Sequence, residues 1–487
     1  MAGTIPFTGF TPSADPTTPG AVLECANMIP TLRGMRGAPT PTPLAVDAFQ
    51  SEVTGAATCE LLLGTYRTIV GTSDKLIEVV GSTQTDVSGM TYTGGANRWR
   101  FCQFGNATLA TNGTDKIQQS ILTGNFSSIA SAPVARIIEV TQGFVFAFDT
   151  TDSVNGHRPH GWACCALYNQ DDWVPSQATQ AANGIIIDTP GGITAGRALG
   201  TNIVAYKADS MFYGTFQGPP TIWAFNQISQ VVGAPCQEAV VAIGTRHIFI
   251  GSDAQIYSYD GATVDPIGDD VKDWLYANWS KLYRDRIESR HDKENSLIYW
   301  YFCSTQSSDG KPDKCLVYNY RRGKFGRSDA KIEASVIYIS GQITWDDMGS
   351  LPGLTTWDTL PNVPYNSSYW SQASEIPALV DTSHKLQSLS GVSQSSSITS
   401  GWFGDDLQNM SVQGVVPRFV RAPATCTGSA QSVRMLGENS TPQTIGELYD
   451  GELACDFDCR YAQITLNFTG DHEILGAVPR ITPAGSL

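Results

Sequence analysis

The chain has 487 residues and a net charge of −15, with 41% hydrophobic and 16% charged residues. The hydrophobic share, with 11 Trp, 18 Tyr and 19 Phe, excludes a disordered chain. The acidic excess excludes an ordinary nucleic-acid binder, which needs surplus Lys and Arg to displace counterions from phosphates.

Residues 1–45 are rich in Pro, Thr and Gly and predict an extended N-terminal arm rather than a domain. The first twenty residues have neither a basic start nor an apolar core, so no secretory leader is expected. Within the arm, GAVLECANMIPTLRGMRGAP (20–39) offers Val22, Leu23, Cys25 and Met28 for docking, with Gly34 and Gly37 punctuating a turn.

From 46 to 330 the chain predicts strand pairs. The clearest unit is RHIFIGSDAQIYSYDGATVDPIG (246–268): an apolar run, a polar turn, an alternating strand and a second turn. Looser versions occur at 67–79, 106–119, 202–216 and 295–320. Starts spaced roughly 40 to 60 residues apart fit propeller blades better than a sandwich meander. In ANRWRFCQF (96–104), Trp99, Phe101 and Phe104 are read as one face of a strand. One helix is expected near 269–283, with Asp at its start and Val271, Trp274, Leu275 and Trp279 as its apolar set.

Residues 331–400 change character and read as an insertion or tip region. They hold an internal echo, TWDDMGSLP against TWDTLPNVP, within 343–364. From 401 to 487 strands return at 415–422, 431–437, 460–468 and 473–481. These suit either ring closure or a β-sandwich. The fold class expected is therefore mainly β: a β-propeller body with an extended N-terminal arm and an additional C-terminal β region.

No catalytic constellation, cofactor cradle or metal-ligand spacing is found, so no enzyme activity, cofactor or metal is expected. His157 and His160 of HRPH lack acidic or Cys partners at metal spacing and read as polar loop residues. The doublets Asp171–Asp172, Asp269–Asp270, Asp346–Asp347 and Asp405–Asp406 read as turns or helix starts, because neighbours on a strand point to opposite faces. Eleven Cys with no CxxC read as reduced, mostly buried small residues, which suits assembly in a reducing cytoplasm. No run approaches 18 apolar residues, so no membrane span is expected.

The ordered series 20–39, 99–118, 132–148, 168–181, 218–240, 248–268, 317–326 (VYNYRRGKFG) and 460–478 (RYAQITLNFTGDHEILGAV) resembles the tail nozzle or packaged-DNA stabilisation proteins of short-tailed bacteriophages, the podovirus tail hub. The resemblance leaves 343–400 unmatched. It implies a virion structural protein: a homo-oligomeric ring, a hexamer, below the portal and the head-to-tail adaptor. The ring retains the packaged genome and gives DNA a channel on ejection without sequence-specific binding. A tail fibre or a needle or plug protein is a further partner. Two other readings stay open on residues alone: a carbohydrate-binding or glycan-hydrolysing propeller, and another tail component such as an adaptor or fibre-attachment protein.

Overall fold

The computed structural model describes residues 3–339 and 375–486. The protein is mainly β: six four-stranded antiparallel sheets are arranged as propeller blades, with one extra antiparallel sheet of sixteen strands. The first blade runs from Val53–Glu60 to Thr83–Asp86, the second from Arg100–Phe104 to Ser127–Ser128, and the third from Val134–Thr141 to Ala182–Ile185. The fourth spans Ala195–Leu199 to Ile222–Ser229, and the fifth Val240–Ile243 to Val264–Pro266. The last blade comprises Ile332–Ile339, Glu375–Asp381, Leu386–Ser388 and, from the other end of the chain, Thr42–Pro43.

The ring has one further position. Ile287–Asp292, Leu297–Phe302, Lys314–Asn319 and Lys324–Arg327 form a four-stranded unit between the fifth and last blades. This unit is the end of the sixteen-stranded sheet and is called the shared blade below. The inner strand of the last blade then packs on Val53–Glu60 of the first, which closes the ring.

The repeats read from sequence are the middle hairpins of successive blades. HIFIG and IYSY fall in Arg246–Ile250 and Ile256–Tyr259, and the pairs at 67–79, 106–119, 202–216 and 295–320 occupy the equivalent place in their blades. Middle strands are sandwiched between neighbouring blades, so both faces are apolar: every residue of Ala107–Thr111 and of Leu297–Phe302 is buried. Outer strands such as Thr83–Asp86 and Ser127–Ser128 are exposed and polar.

Three local expectations change. Phe104 leaves the face of Trp99 and Phe101: those two stack at 6.3 Å in one core, whereas Phe104 packs with Leu109 and Ile138 in another. An odd spacing along a strand reverses the face. The helix covers only Lys272–Asn278. Asp269 is held by Gln255 at 2.6 Å rather than capping it, and Trp279 leaves the helix to bridge Ser304. The predicted apolar set does face inward, with Val271, Leu275 and Trp279 buried and Trp274 packed against the same core.

The third change concerns 331–400. Three strands of this stretch build the last blade, and Ser396–Ser400 joins the large sheet. The echo at 343–364 lies outside the described residues.

The arm is woven in rather than attached. Val22–Ala26 pairs with Ser396–Ser400, Met28–Pro30 touches the shared blade through Met28 and Arg327, and Met35–Gly37 pairs with the C-terminal strand Glu473–Ser486. Val22, Cys25 and Met28 do dock, in one core with Trp279 and Trp300 of the propeller side and Leu466, Phe468 and Ile474 of the C-terminal side; Leu23 is only half-buried. The C-terminal strands close on one another, with Met410 and Val412 sharing a core with Ala430, Phe457 and Ala462. The fourth strand of the last blade comes from Thr42–Pro43 rather than from the C-terminal strands.

Candidate functional site at the propeller axis

The inner strands carry an unusual density of charge toward the axis. Arg98 and Arg100 flank Trp99 at the start of the second blade, Glu139 lies on the inner strand of the third, and Arg197 on that of the fourth. Gln237 and Glu238 occupy a 3₁₀ turn, Gln237–Ala239, leading into the fifth blade. Glu288 and Arg290 lie on the inner strand of the shared blade. The first blade offers only Gly55, Ala56 and Ala57 there.

These groups knit the blades together across the axis. Glu238 accepts from Arg100 Nε at 2.7 Å and Nη2 at 3.0 Å, and Arg98 Nη1 lies 3.3 Å away. Arg98 Nη2 reaches Glu288 at 2.9 Å, and Arg197 reaches Glu139 at 3.1 Å. Glu288 also accepts from the Ser335 hydroxyl at 3.1 Å. Burial pushes the Glu238 carboxyl up, but Arg100 and Arg98 outweigh it and hold the group at about 2. At Glu139 and Glu288 burial prevails over the neighbouring arginines, and both carboxyls are raised. The remaining axial space is a cavity of about 180 Å³.

A wider mouth of about 310 Å³ opens above it, sharing Arg98 and Arg100 and adding Arg136, Asp149, His157, Asp285, Lys311 and Glu333. Glu333, whose side chain is fully buried, accepts from Val53 N–H at 3.0 Å, Lys311 Nζ at 2.6 Å and His384 Nδ1 at 2.8 Å. That carboxylate fastens the seam where the last blade meets the first.

His157 and His160 lie on the strand Gly156–Cys164, not in a loop. His157 bonds Asp149 at 2.7 Å in the mouth, while His160 supplies its carbonyl to Ile186 N–H at 2.9 Å. Among the described residues, no three His, Cys, Asp or Glu side chains are placed to share a metal ion. Asp171 and Asp172 sit in a turn, Asp269 and Asp270 precede the helix, and Asp405 and Asp406 form an exposed bend; Asp346 and Asp347 lie outside the described residues. All eleven cysteines are free, and only Cys102 and Cys455 are not fully buried.

A second concavity, about 690 Å³, lies where the arm meets the C-terminal strands. Trp402, Asp405, Asp406, Asn409 and Tyr461 line it, and Tyr461 Oη donates to Asp406 at 2.5 Å.

No protein-family model and no curated protein matches this chain. Solved structures do match its arrangement of blades. A chain of the mitotic checkpoint complex is 8% identical, covering 72% of this chain and 92% of that one with a TM-score of 0.39. The Pan2 WD40 domain of Neurospora crassa is 8% identical over 69% and 88%, with a TM-score of 0.39. BamB of Moraxella catarrhalis is 9% identical over 76% and 98%, with a TM-score of 0.37. The likeness concerns the propeller alone.

Proposed function

We propose that this chain is a virion structural protein, the subunit of a ring-shaped tail nozzle that sits below a portal and adaptor, retains the packaged genome and lines its exit. The observation that carries the reading is an interlocked body with a filled axis. Ion pairs occupy the centre of the propeller, and both chain ends are sewn into one large sheet. The stretch 20–39, the first landmark of the nozzle resemblance, makes most of those stitches.

A cavity of about 180 Å³ admits no polymer, so on this reading DNA passes between copies and not through one. A closed ring built from one repeated heterologous contact, here a hexamer, supplies such a channel. On this reading the acidic excess behind the net charge of −15 faces the channel, so that its wall repels a duplex carrying one charge per about 1.7 Å. Free, mostly buried thiols suit assembly in a host cytoplasm before incorporation into the virion tail. The protein acts here without catalysis or cofactor, its partners being further copies, the portal and adaptor, and a fibre or plug.

The test is the solution mass of the purified chain, alone and mixed with the adaptor and portal rings of the same particle. A cyclic oligomer, or a monomer that becomes a ring on the adaptor, is the expected result. A monomer indifferent to both partners overturns the reading. A carbohydrate-binding role draws on one observation, the groove with Trp402 beside Asp405, Asp406 and Asn409, since an aromatic face with nearby amides and carboxylates suits a sugar ring. Glycan-array binding abolished by Trp402→Ala supports that alternative.

A further inference from the structure

We propose that the propeller axis is a binding site for a small inorganic anion, with the Arg290 guanidinium as its main ligand. The inference stands apart from the nozzle reading and holds for a propeller of any function.

Charge is the first argument. Arg98, Arg100 and Arg197 each place a nitrogen within 3.1 Å of a carboxylate oxygen. Arg290 has no such partner among the described residues. Its Nη2 donates to Ser335 Oγ at 3.0 Å, and its Nε is buried with nothing to bond. Glu288, the nearest acid in sequence, is already committed to Arg98 at 2.9 Å and to Ser335. Arg197 and Glu139 balance, leaving three guanidinium groups against the carboxylates of Glu238 and Glu288. One positive charge is uncompensated in a chain that is otherwise strongly acidic. A half-buried guanidinium with a buried, unbonded Nε and no counter-charge is unfavourable, and a bound anion relieves it.

Space is the second argument. Arg98, Arg100, Arg197, Glu238, Glu288 and Arg290 line the cavity from four blade positions, whereas the first blade presents only Gly55, Ala56 and Ala57. The resulting cavity of about 180 Å³ has Arg290 and Ser289 in its lining and room for one halide or one tetrahedral oxyanion. Access is the third. Arg98 and Arg100 line both this cavity and the mouth, which joins the cavity to solvent through a lining of mixed charge: Arg136, Arg286 and Lys311 beside Glu52, Asp149, Asp285 and Glu333.

The experiment uses the full chain. Crystals soaked in bromide are examined for anomalous scattering, and thermal unfolding is followed with chloride or phosphate at constant ionic strength, with a bulky organic anion as the balance. The expected result is a bromide peak beside Arg290 and a melting temperature that rises and saturates with the small anion. Arg290→Gln abolishes both. Should that variant fail to fold, Ala57→Val, which fills the cavity without altering charge, must likewise remove the anion-specific rise. Phosphate acting without chloride or bromide narrows the ligand to oxyanions. No peak, together with a melting temperature indifferent to anion identity, overturns the proposal and leaves a water-filled gap.

Discussion

Tyr206 Oη donates to Nδ1 of His247 at 2.7 Å, and His247 Nε2–H donates onward to the Ala198 carbonyl at 2.8 Å, so a fully buried imidazole joins the fourth blade to the fifth. Burial holds this histidine down to about 4, and a proton added at Nδ1 would displace the hydrogen bond that it accepts from Tyr206. Its folded pKa lies below the unfolded value of 6.5. The neutral ring therefore contributes stability in full above that value, and the contribution is lost as pH falls toward 4. The span corresponds to on the order of 3 kcal/mol. His291 and His472 are depressed as well, so the informative quantity is a difference: denaturant unfolding from pH 7 to 4 should be steeper for the wild type than for His247→Gln. Parallel profiles for the two proteins would count against this assignment.

Arg67 and Glu78 form a buried fork in the first blade, Nε to Oε1 at 2.7 Å and Nη2 to Oε2 at 3.0 Å. The same guanidinium reaches Ser120 Oγ at 2.8 Å and the Leu122 carbonyl in the second blade. Removing one partner strands a buried charge, so Glu78→Gln should cost about 3–5 kcal/mol in urea unfolding, whereas Arg67→Met with Glu78→Leu should cost much less. Additive losses would show that the pair is not the unit.

Gly34 sits in the turn between Met28–Pro30 and Met35–Gly37, and a Cβ there would stand 2.1 Å from the Ile474 carbonyl oxygen. The requirement is close approach, not an unusual turn. Gly34→Ala should destabilise by about 1–3 kcal/mol through the shift it forces on the arm or the C-terminal strand. Gly3→Ala, with nothing within 4 Å, is the control. Equal melting temperatures for the two variants would deny the contact.

Deleting residues 1–45 removes Phe7, Phe10, Val22 and Met28 from the central core and leaves Leu386–Ser388 as an open edge. The truncated protein should bind a hydrophobic dye and be digested rapidly by protease. Adding the segment back as a separate peptide should restore resistance. A truncated protein as resistant as the intact one would mean the last blade closes without its fourth strand.

The sequence is legible where a strand is apolar on both faces. Leu297–Phe302 and Arg246–Ile250 announce themselves because blades cover both their sides. The last blade does not, since its inner strand and its second are far apart in the chain and its outer strand is the dipeptide Thr42–Pro43. No local pattern links Leu386 to Thr42. The axial network is hidden for a related reason. Arg98 and Arg100 sit inside an aromatic strand motif, Glu238 lies before the fifth blade, and Glu288 and Arg290 share the inner strand of the shared blade. Only ring closure brings them within bonding distance. The helix at 272–278 shows the remaining kind of miss: its apolar face was readable, but its end depends on the bridge from Trp279 to Ser304.

The interleaved termini also set a timetable for synthesis. The arm leaves the ribosome well ahead of its partners: Thr42–Pro43 waits for Leu386–Ser388, and Met35–Gly37 waits for Glu473–Ser486. At about 5–20 residues per second, that leaves tens of seconds in which blades accumulate without their final fasteners. A segment made before its partners is thus satisfied late. A chain released before its C-terminal strand would carry an arm still searching for an edge, and a neighbouring nascent chain could supply one.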